Sequence, residues 1–377
     1  MTLIKKIKDI GTIGGADVFG NLMSAGFWFY LASQIEPSSY GEIHWFLGIA
    51  GMFSSFALFG TTNTLTVYTA KKIQIQSTLN FISILASFVL SLTVILVFPS
   101  FYSIDIGIIL IAYVVNALAI GDLLGKKQFQ NYSKYIILQK GLTLAVGLLF
   151  FYLFGYEAII FALAITYVLY FKRIISIFNE VKINFNLIKP RIGFITNNYL
   201  MSILAIASGQ IDKIIVAPML GFAILGNYSL AIQAINIMLI SSSVFYKYLL
   251  PQEATGVKNK NAKILIIFIS VLISILGIFG APILIDEFFP KFSESIIAIK
   301  IMSIVVIPTT ISLILESELL GKEKSKNVII GNAILLGSLI FGMLTLGNLF
   351  GIEGVAYSFV IANIAKMSYY VCVKKMN

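Results

Sequence analysis

The sequence predicts an all-α integral membrane protein of about 12 transmembrane helices, in two six-helix bundles related as parallel repeats. Three observations predict it. Of the 377 residues, 58% are hydrophobic and 12% charged, and mean hydropathy is +0.94. Soluble domains carry roughly a quarter charged residues, so a globule of this composition would lack polar side chains to coat its surface. Second, apolar runs of about twenty residues, bounded by Lys and Asn, recur along the chain, each long enough to cross about 30 Å of hydrocarbon as a helix. The period-two alternation of barrel strands is not seen. Third, basic residues crowd into every second connection between runs.

The runs place helices over 10–33, 42–69, 78–98, 104–125, 134–154, 157–177, 194–217, 226–250, 263–285, 296–319, 326–347 and 352–372. Lys5, Lys6 and Lys8 precede the first in the manner of a signal peptide. That run continues to about Ser33 without a clear small-residue cleavage site, so it reads as a retained helix. The second is interrupted by Gly60-Thr61-Thr62-Asn63-Thr64 in its cytoplasmic half. The longest connection, 178–193, carries Lys182, Lys189, Pro190 and Arg191. It divides the chain into a bundle over 1–177, a cytoplasmic linker over 178–193 and a bundle over 194–377.

Charge sets the direction of each crossing. One side collects the N-terminal lysines, then Lys71 and Lys72, then Lys126, Lys127 and Lys134. It continues with Lys172, Arg173 and the basic linker, then Lys258, Lys260 and Lys263. Lys322, Lys324, Lys326, Lys374 and Lys375 complete it. The opposite loops hold Lys291 and Lys300. This is the positive-inside pattern, and it predicts that both termini face the cytoplasm. Each half starts on the same side with six helices, which makes the halves parallel repeats. The turn after the first helix reads Pro37-Ser38-Ser39-Tyr40-Gly41-Glu42, and the one after the seventh reads Phe222-Ala223-Ile224-Leu225-Gly226-Asn227-Tyr228. Both set a Gly at the foot of the next helix. Two similar bundles with a cleft between them suit alternating access.

Several function classes fall away. The formal net charge of +10 suggests a nucleic-acid partner, but the lysines flank membrane spans and form no soluble basic domain. The single Cys372 and single His44 exclude an internal disulfide and any His-pair or Cys-based metal site. The sequence contains no Walker P-loop, no His-Glu-x-x-His and no nucleophile elbow, so no enzyme and no cofactor is expected.

The turn residues carry a family resemblance. Phe29-Tyr30-Leu31-Ala32 followed by Tyr40-Gly41-Glu42 resembles the start of polysaccharide-export flippases of the Wzx type. So does Gln210-Ile211-Asp212-Lys213-Ile214-Ile215 followed by Leu225-Gly226-Asn227-Tyr228-Ser229-Leu230-Ala231, with Pro251 resembling the Pro that closes their eighth helix. These flippases share a superfamily with multidrug exporters of the MATE type and lipid II flippases. Many members have additional helices, and this chain looks like a short version. The resemblance implies movement of a polyprenyl-diphosphate-linked oligosaccharide from the cytoplasmic to the outer leaflet. It implies a role in O-antigen, lipopolysaccharide or other surface-polysaccharide assembly, with a polymerase and chain-length machinery as further partners.

Polar groups inside the spans are the site candidates, because a charge at the bilayer centre costs about 2.5–3.5 kcal/mol on insertion scales. Asp17, Asn21, Ser24 and Trp28 form one stripe on the first helix. Asp17 reads either as a cavity-facing acid that binds a coupling ion or as one partner in a helix–helix hydrogen bond. Asp212 is a second ion-coupling candidate. Its neighbour Lys213 reads as a diphosphate ligand or as a side chain snorkelling to the outer interface. Adjacent helical positions diverge by about 100°, so these two are not expected to pair simply with each other. Lys140, Lys247 and Lys366 are the other intramembrane cations. The stems of Lys140 and Lys247 also reach toward headgroups. Glu318 is expected to pair with Lys322 at i+4. Asn63 and Gln233 read as cavity groups that bind sugar hydroxyls, or as polar glue between helices. Gly11, Gly14 and Gly15 read as sites of close helix packing and bending.

A diphosphate needs cations. With the interior negative, each negative charge moved outward gains about 2.3 kcal/mol per 100 mV. Two rivals remain. A cation-coupled drug exporter of the same superfamily favours acids and aromatic walls over lysines. A membrane glycan polymerase or glycosyltransferase needs long outer loops, and the longest here, around Asp286 to Ser295, is short.

Overall fold

In the computed structural model the described residues are 3–59, 61–97, 102–254, 259–322 and 324–375, with the side chains of 3–10, 13, 251, 252 and 254 left out. Gly60 and Lys258, and the side chains of Lys5, Lys6, Lys8 and Pro251, therefore lie outside the description.

The chain opens with α1 (Leu3–Gln34), α2 (Pro37–Ala57) and α3 (Thr62–Ala70), followed by α4 (Gln76–Val97), α5 (Ser103–Gly125) and α6 (Phe129–Phe154). Next come α7 (Ile159–Thr166), α8 (Val168–Glu180), α9 (Ile192–Leu220), α10 (Phe222–Met238) and α11 (Ile240–Ala254). The remainder is α12 (Lys260–Phe288), α13 (Ser295–Ser303), α14 (Val306–Gly321), α15 (Ser325–Gly342) and α16 (Asn348–Lys375). Among the described residues there is no strand.

Among the described residues, seven helical stretches are long and apolar enough to cross a membrane, or up to ten if each of three helix pairs, bent by 41°, 44° and 42°, is counted as one span. The stretch 325–375 is itself a hairpin: the chain turns at Gly351, whose φ of +56° kinks the first turn of α16, and α16 packs back on α15. With α1, each span read from the sequence has a helical counterpart. The chain is thus a multi-pass membrane protein. Large apolar side chains stand exposed along α4 and α12, among them Leu92, Leu96, Leu276 and Phe279. Exposed apolar surface on this scale is stable against lipid, not water.

Some boundaries differ from expectation for local reasons. α2 starts at Pro37, not at 42, because proline is preset for the first helical position, where its missing N–H costs nothing. The Gly-Thr-Thr-Asn-Thr string does break the second span, between Ala57 and Thr62. In hydrocarbon a freed backbone group needs an internal partner. Thr61 caps α3 through Thr64 N–H at 3.2 Å, and the Tyr199 hydroxyl donates to the Phe56 carbonyl at 2.8 Å.

The described chain forms two compact units, one of residues 1–27 and 46–210, the other of 28–45 and 211–377. In the first, α5 packs on α3 through Gly121 and Gly125. A Cβ at Gly125 would meet Thr69 Cβ at 2.5 Å, the close approach that small-x-x-x-small spacing permits. Leu65, Leu79, Val114, Leu118 and Ile177 form the core beside it. In the second unit the first turns of α2 and α10 clasp each other. A Cβ on Gly41 would lie 1.9 Å from the Phe222 carbonyl oxygen, and one on Gly226 would lie 1.9 Å from that of Pro37. Each glycine sits four residues into its helix, on the carbonyl of the other helix's first residue. This reciprocity is what equivalent turns of two repeats would make. Gly11, Gly14 and Gly15, expected at close packing, have no neighbouring atom within 4 Å of an added Cβ among the described residues. Helices approach where backbones cross, and glycine content alone does not show where that is.

Candidate functional site

In the first unit the site grows from the contact of α1 with α6. Tyr132, Ile136 and Lys140 recur every fourth residue on α6 and so share a face. Tyr132 donates its hydroxyl to Asp17 Oδ1 at 2.6 Å, and Ser133 donates to the Thr12 carbonyl at 2.9 Å. One turn further, Gly20 leaves room for Ile136 and for the stem of Lys140, whose Cγ would lie 3.2 Å from a Cβ at that position. The Lys140 side chain is partly buried and meets no carboxylate within salt-bridge distance among the described residues. Asn21 is exposed on α1, and Asn63 is exposed in the first turn of α3.

The second unit holds the remaining candidates in separate networks. On α9, Asp212 is buried, accepts the Tyr228 hydroxyl at 3.2 Å and lies 3.3 Å from Lys213 Nζ. The expectation that Asp212 and Lys213 do not pair is therefore corrected. The divergence between neighbouring positions holds for Cβ directions, but a four-carbon stem is long enough to fold back across it. Near the start of α2, His44 lies against Trp28 and Tyr40, each with ring centroids 4.6 Å away.

Lys366 is satisfied inside the bundle. Its ammonium lies 3.1 Å from Glu316, donates to Asn332 Oδ1 at 2.8 Å and sits 5.5 Å from the centre of the Tyr370 ring. Lys247 is exposed on α11, and Gln233 is partly buried on α10. The expected Glu318–Lys322 pair gives way to tertiary partners: Glu318 binds Lys263 at 2.7 Å and Lys374 at 2.8 Å, while Lys263 also binds Glu253 at 2.6 Å. Lys322 lies beyond the last turn of α14, whereas α12 and α16 bring their lysines to its side.

A buried pair in the first unit escaped the sequence reading. Asp122 on α5 is fully buried and accepts Arg173 Nε at 2.8 Å. Lys126 lies 3.4 Å from Asp122 and also pairs with Glu180. The second unit echoes it: Glu318, on the second unit's counterpart of that span, also pairs with a base from the last span of its half. The available signal was an acid inside an apolar run, which requires a partner.

The fold identifies a class of membrane protein. No protein-family model matches the sequence, and no curated protein matches it. Solved structures do match along nearly its whole length. The lipid II flippase MurJ, inward closed, superposes with a TM-score of 0.75 at 14% identity, over 96% of this chain and 86% of that one. An inward-facing multidrug resistance MATE family transporter of the MOP superfamily gives 0.68 at 14%, over 95% and 94%. A MOP superfamily transporter from Pyrococcus furiosus, described as having a binding pocket of reversed polarity, gives 0.61 at 14%, over 98% and 95%. At these identities the likeness is one of fold: the chain has the two-repeat, all-helical architecture of MATE transporters and the lipid II flippase.

Proposed function

We propose that this protein is a flippase that moves a polyprenyl-diphosphate-linked oligosaccharide from the cytoplasmic to the outer leaflet by alternating access, as in Wzx-type export. It serves surface-polysaccharide assembly in the inner membrane, with both termini cytoplasmic. Its two bundles are 1–177 and 194–377, joined by the 178–193 linker. It acts as a carrier, not as an enzyme. The observation that carries the reading is Lys140. A partly buried ammonium inside a span, with no carboxylate in salt-bridge range among the described residues, supplies positive charge to an anionic ligand. Lys213 and Lys366 are already held by Asp212 and Glu316, so they bind substrate only when those pairs open. The fold likeness to a lipid II flippase supports the same direction.

The test is Lys140→Gln, with surface polysaccharide measured at matched protein levels. Export should fall steeply, whereas Lys247→Gln, on an exposed side chain, should change little. If Lys140, Lys213 and Lys366 can each be neutralised silently, the cationic site is wrong.

A second reading, a cation-coupled drug exporter, is favoured by the Asp17–Tyr132 hydrogen bond, which holds an acid inside a span where an ion can compete for it. Expression in a drug-sensitive host decides between them. Broad resistance that is lost in Asp17→Asn, with no effect on glycan export, would replace the flippase assignment.

A further inference from the structure

The first unit carries a lipid-facing groove of about 570 Å³, walled by Phe56, Phe59, Phe81, Leu85, Val89 and Phe185 among others. Its long wall is α4. From Phe81 to Leu90 the helix rises about 14 Å at 1.5 Å per residue. That is close to half of the roughly 30 Å hydrocarbon core, the depth of one leaflet. The groove therefore has the length of a single acyl chain lying along the membrane normal.

One end of the groove is fixed by the basic linker. Asn184 N–H donates to Thr78 Oγ1 at 2.8 Å, and Phe185 meets Phe81 edge-on with centroids 6.3 Å apart. Arg191 donates to the Leu187 carbonyl at 2.9 Å and lies 5.8 Å from the centre of the Tyr68 ring. The linker is thus docked on α4 and closes the groove at its lysine-rich end. Exposed Ile183 and Phe185 lie there between exposed Lys182 and Lys189. Lys71 and Lys72 are exposed at the start of the same helical hairpin. No acidic residue occurs between Glu42 and Asp105 or between Glu180 and Asp212, the two segments that build the groove and its rim. Within these two segments every charged side chain is basic, and the nearest acid in sequence, Glu180, is paired with Lys126.

The other wall is the break between α2 and α3. Phe59 stacks on Tyr199 at 4.7 Å and 12°, and the Tyr199 hydroxyl satisfies the Phe56 carbonyl that the break frees. Filling the groove would brace the bend.

We propose that this groove is a specific site for one acidic glycerophospholipid of the leaflet at the lysine-rich face. One acyl chain lies along α4, and the phosphate sits against Lys182 and Lys189. A zwitterionic lipid fills the apolar slot equally well but gains less from the lysines, because its headgroup cation offsets the charge of its phosphate. The site is independent of the transported substrate and stands whether the chain moves a lipid-linked sugar or a drug.

The test uses the full-length protein in detergent. Dioleoyl phosphatidylglycerol or dioleoyl phosphatidylcholine is titrated in, and bound lipid is counted by native mass spectrometry. The wild type should retain one phosphatidylglycerol at least tenfold more tightly than phosphatidylcholine. Lys182→Gln with Lys189→Gln should weaken phosphatidylglycerol at least tenfold, toward the retention of phosphatidylcholine, and change phosphatidylcholine far less. Ala86→Phe, which fills the groove from α4, should weaken both lipids. Equal retention of the two lipids, or retention unchanged in the lysine variant, overturns the site. Because those lysines are exposed, that arm holds even if Ala86→Phe does not fold. Retention of a polyprenyl phosphate with phosphatidylglycerol excluded would also overturn it, by assigning the groove to the substrate.

Discussion

Gly41 and Gly226 provide the sharpest test of the packing. An added methyl would place Cβ 1.9 Å from a backbone carbonyl oxygen at either position. Ordinary carbon–oxygen contact in a Cα–H···O=C approach is about 3.3–3.6 Å, so the two first turns would have to separate by roughly 1.5 Å. The opposing atom is main chain, so no side-chain rotation relieves the clash. Overpacking of this kind costs about 1–3 kcal/mol, and more where the backbone cannot yield. Gly26 lies inside α1 with nothing within 4 Å of its Cβ position, and so serves as the control. Alanine there should be neutral or stabilising, by up to about 1 kcal/mol from helix propensity. Melting of Gly41→Ala, Gly226→Ala and Gly26→Ala in one detergent should show the first two lowered by several degrees and the third unchanged or raised. The clasp is reciprocal and its contacts are shared, so the double variant should cost less than the sum of the singles. If Gly41→Ala melts with Gly26→Ala, the two helices do not cross as described and the reasoning fails.

The buried ion pairs give two further expectations. Asp122→Asn should cost about 3–5 kcal/mol of stability by leaving Arg173 without its carboxylate, Arg173→Met should cost less because Lys126 stays 3.4 Å from Asp122, and the double variant should recover much of the loss in a double-mutant cycle. Additive losses would show that the pair is not coupled. In the second unit, Lys366→Met should lower the melting temperature and Glu316→Gln with Lys366→Met should restore part of the loss, because Asn332 and Tyr370 can accommodate an apolar side chain better than an orphaned carboxylate. A double variant no better than Lys366→Met would argue that Glu316 finds another partner.

The crossings were legible because a membrane span is a local property. Twenty apolar residues between lysines suffice, and the span read at 263–285 lies within α12, Lys260–Phe288. The clasp was half legible: Gly41 and Gly226 were each visible at a helix foot, but their mutual seat was not. The charges were least legible. Arg173 reaches Asp122 across 51 positions and Lys366 reaches Asn332 across 34, so no window of sequence contains both partners. The i+4 rule sent Glu318 to Lys322, and the three-helix junction sent it to Lys263 and Lys374.

The amino-acid sequence by itself determined that this chain lives in a bilayer, roughly where its spans lie, and that its halves repeat. Transfer of apolar surface into hydrocarbon is summed residue by residue and needs no knowledge of neighbours. Only the tertiary structure decided which intramembrane charges are spent on each other. Lys213 and Lys366 are paired, while Lys140 meets no carboxylate within salt-bridge range among the described residues. An ion pair depends on distances of a few ångströms between helices remote in sequence, and those are set only when the helices pack.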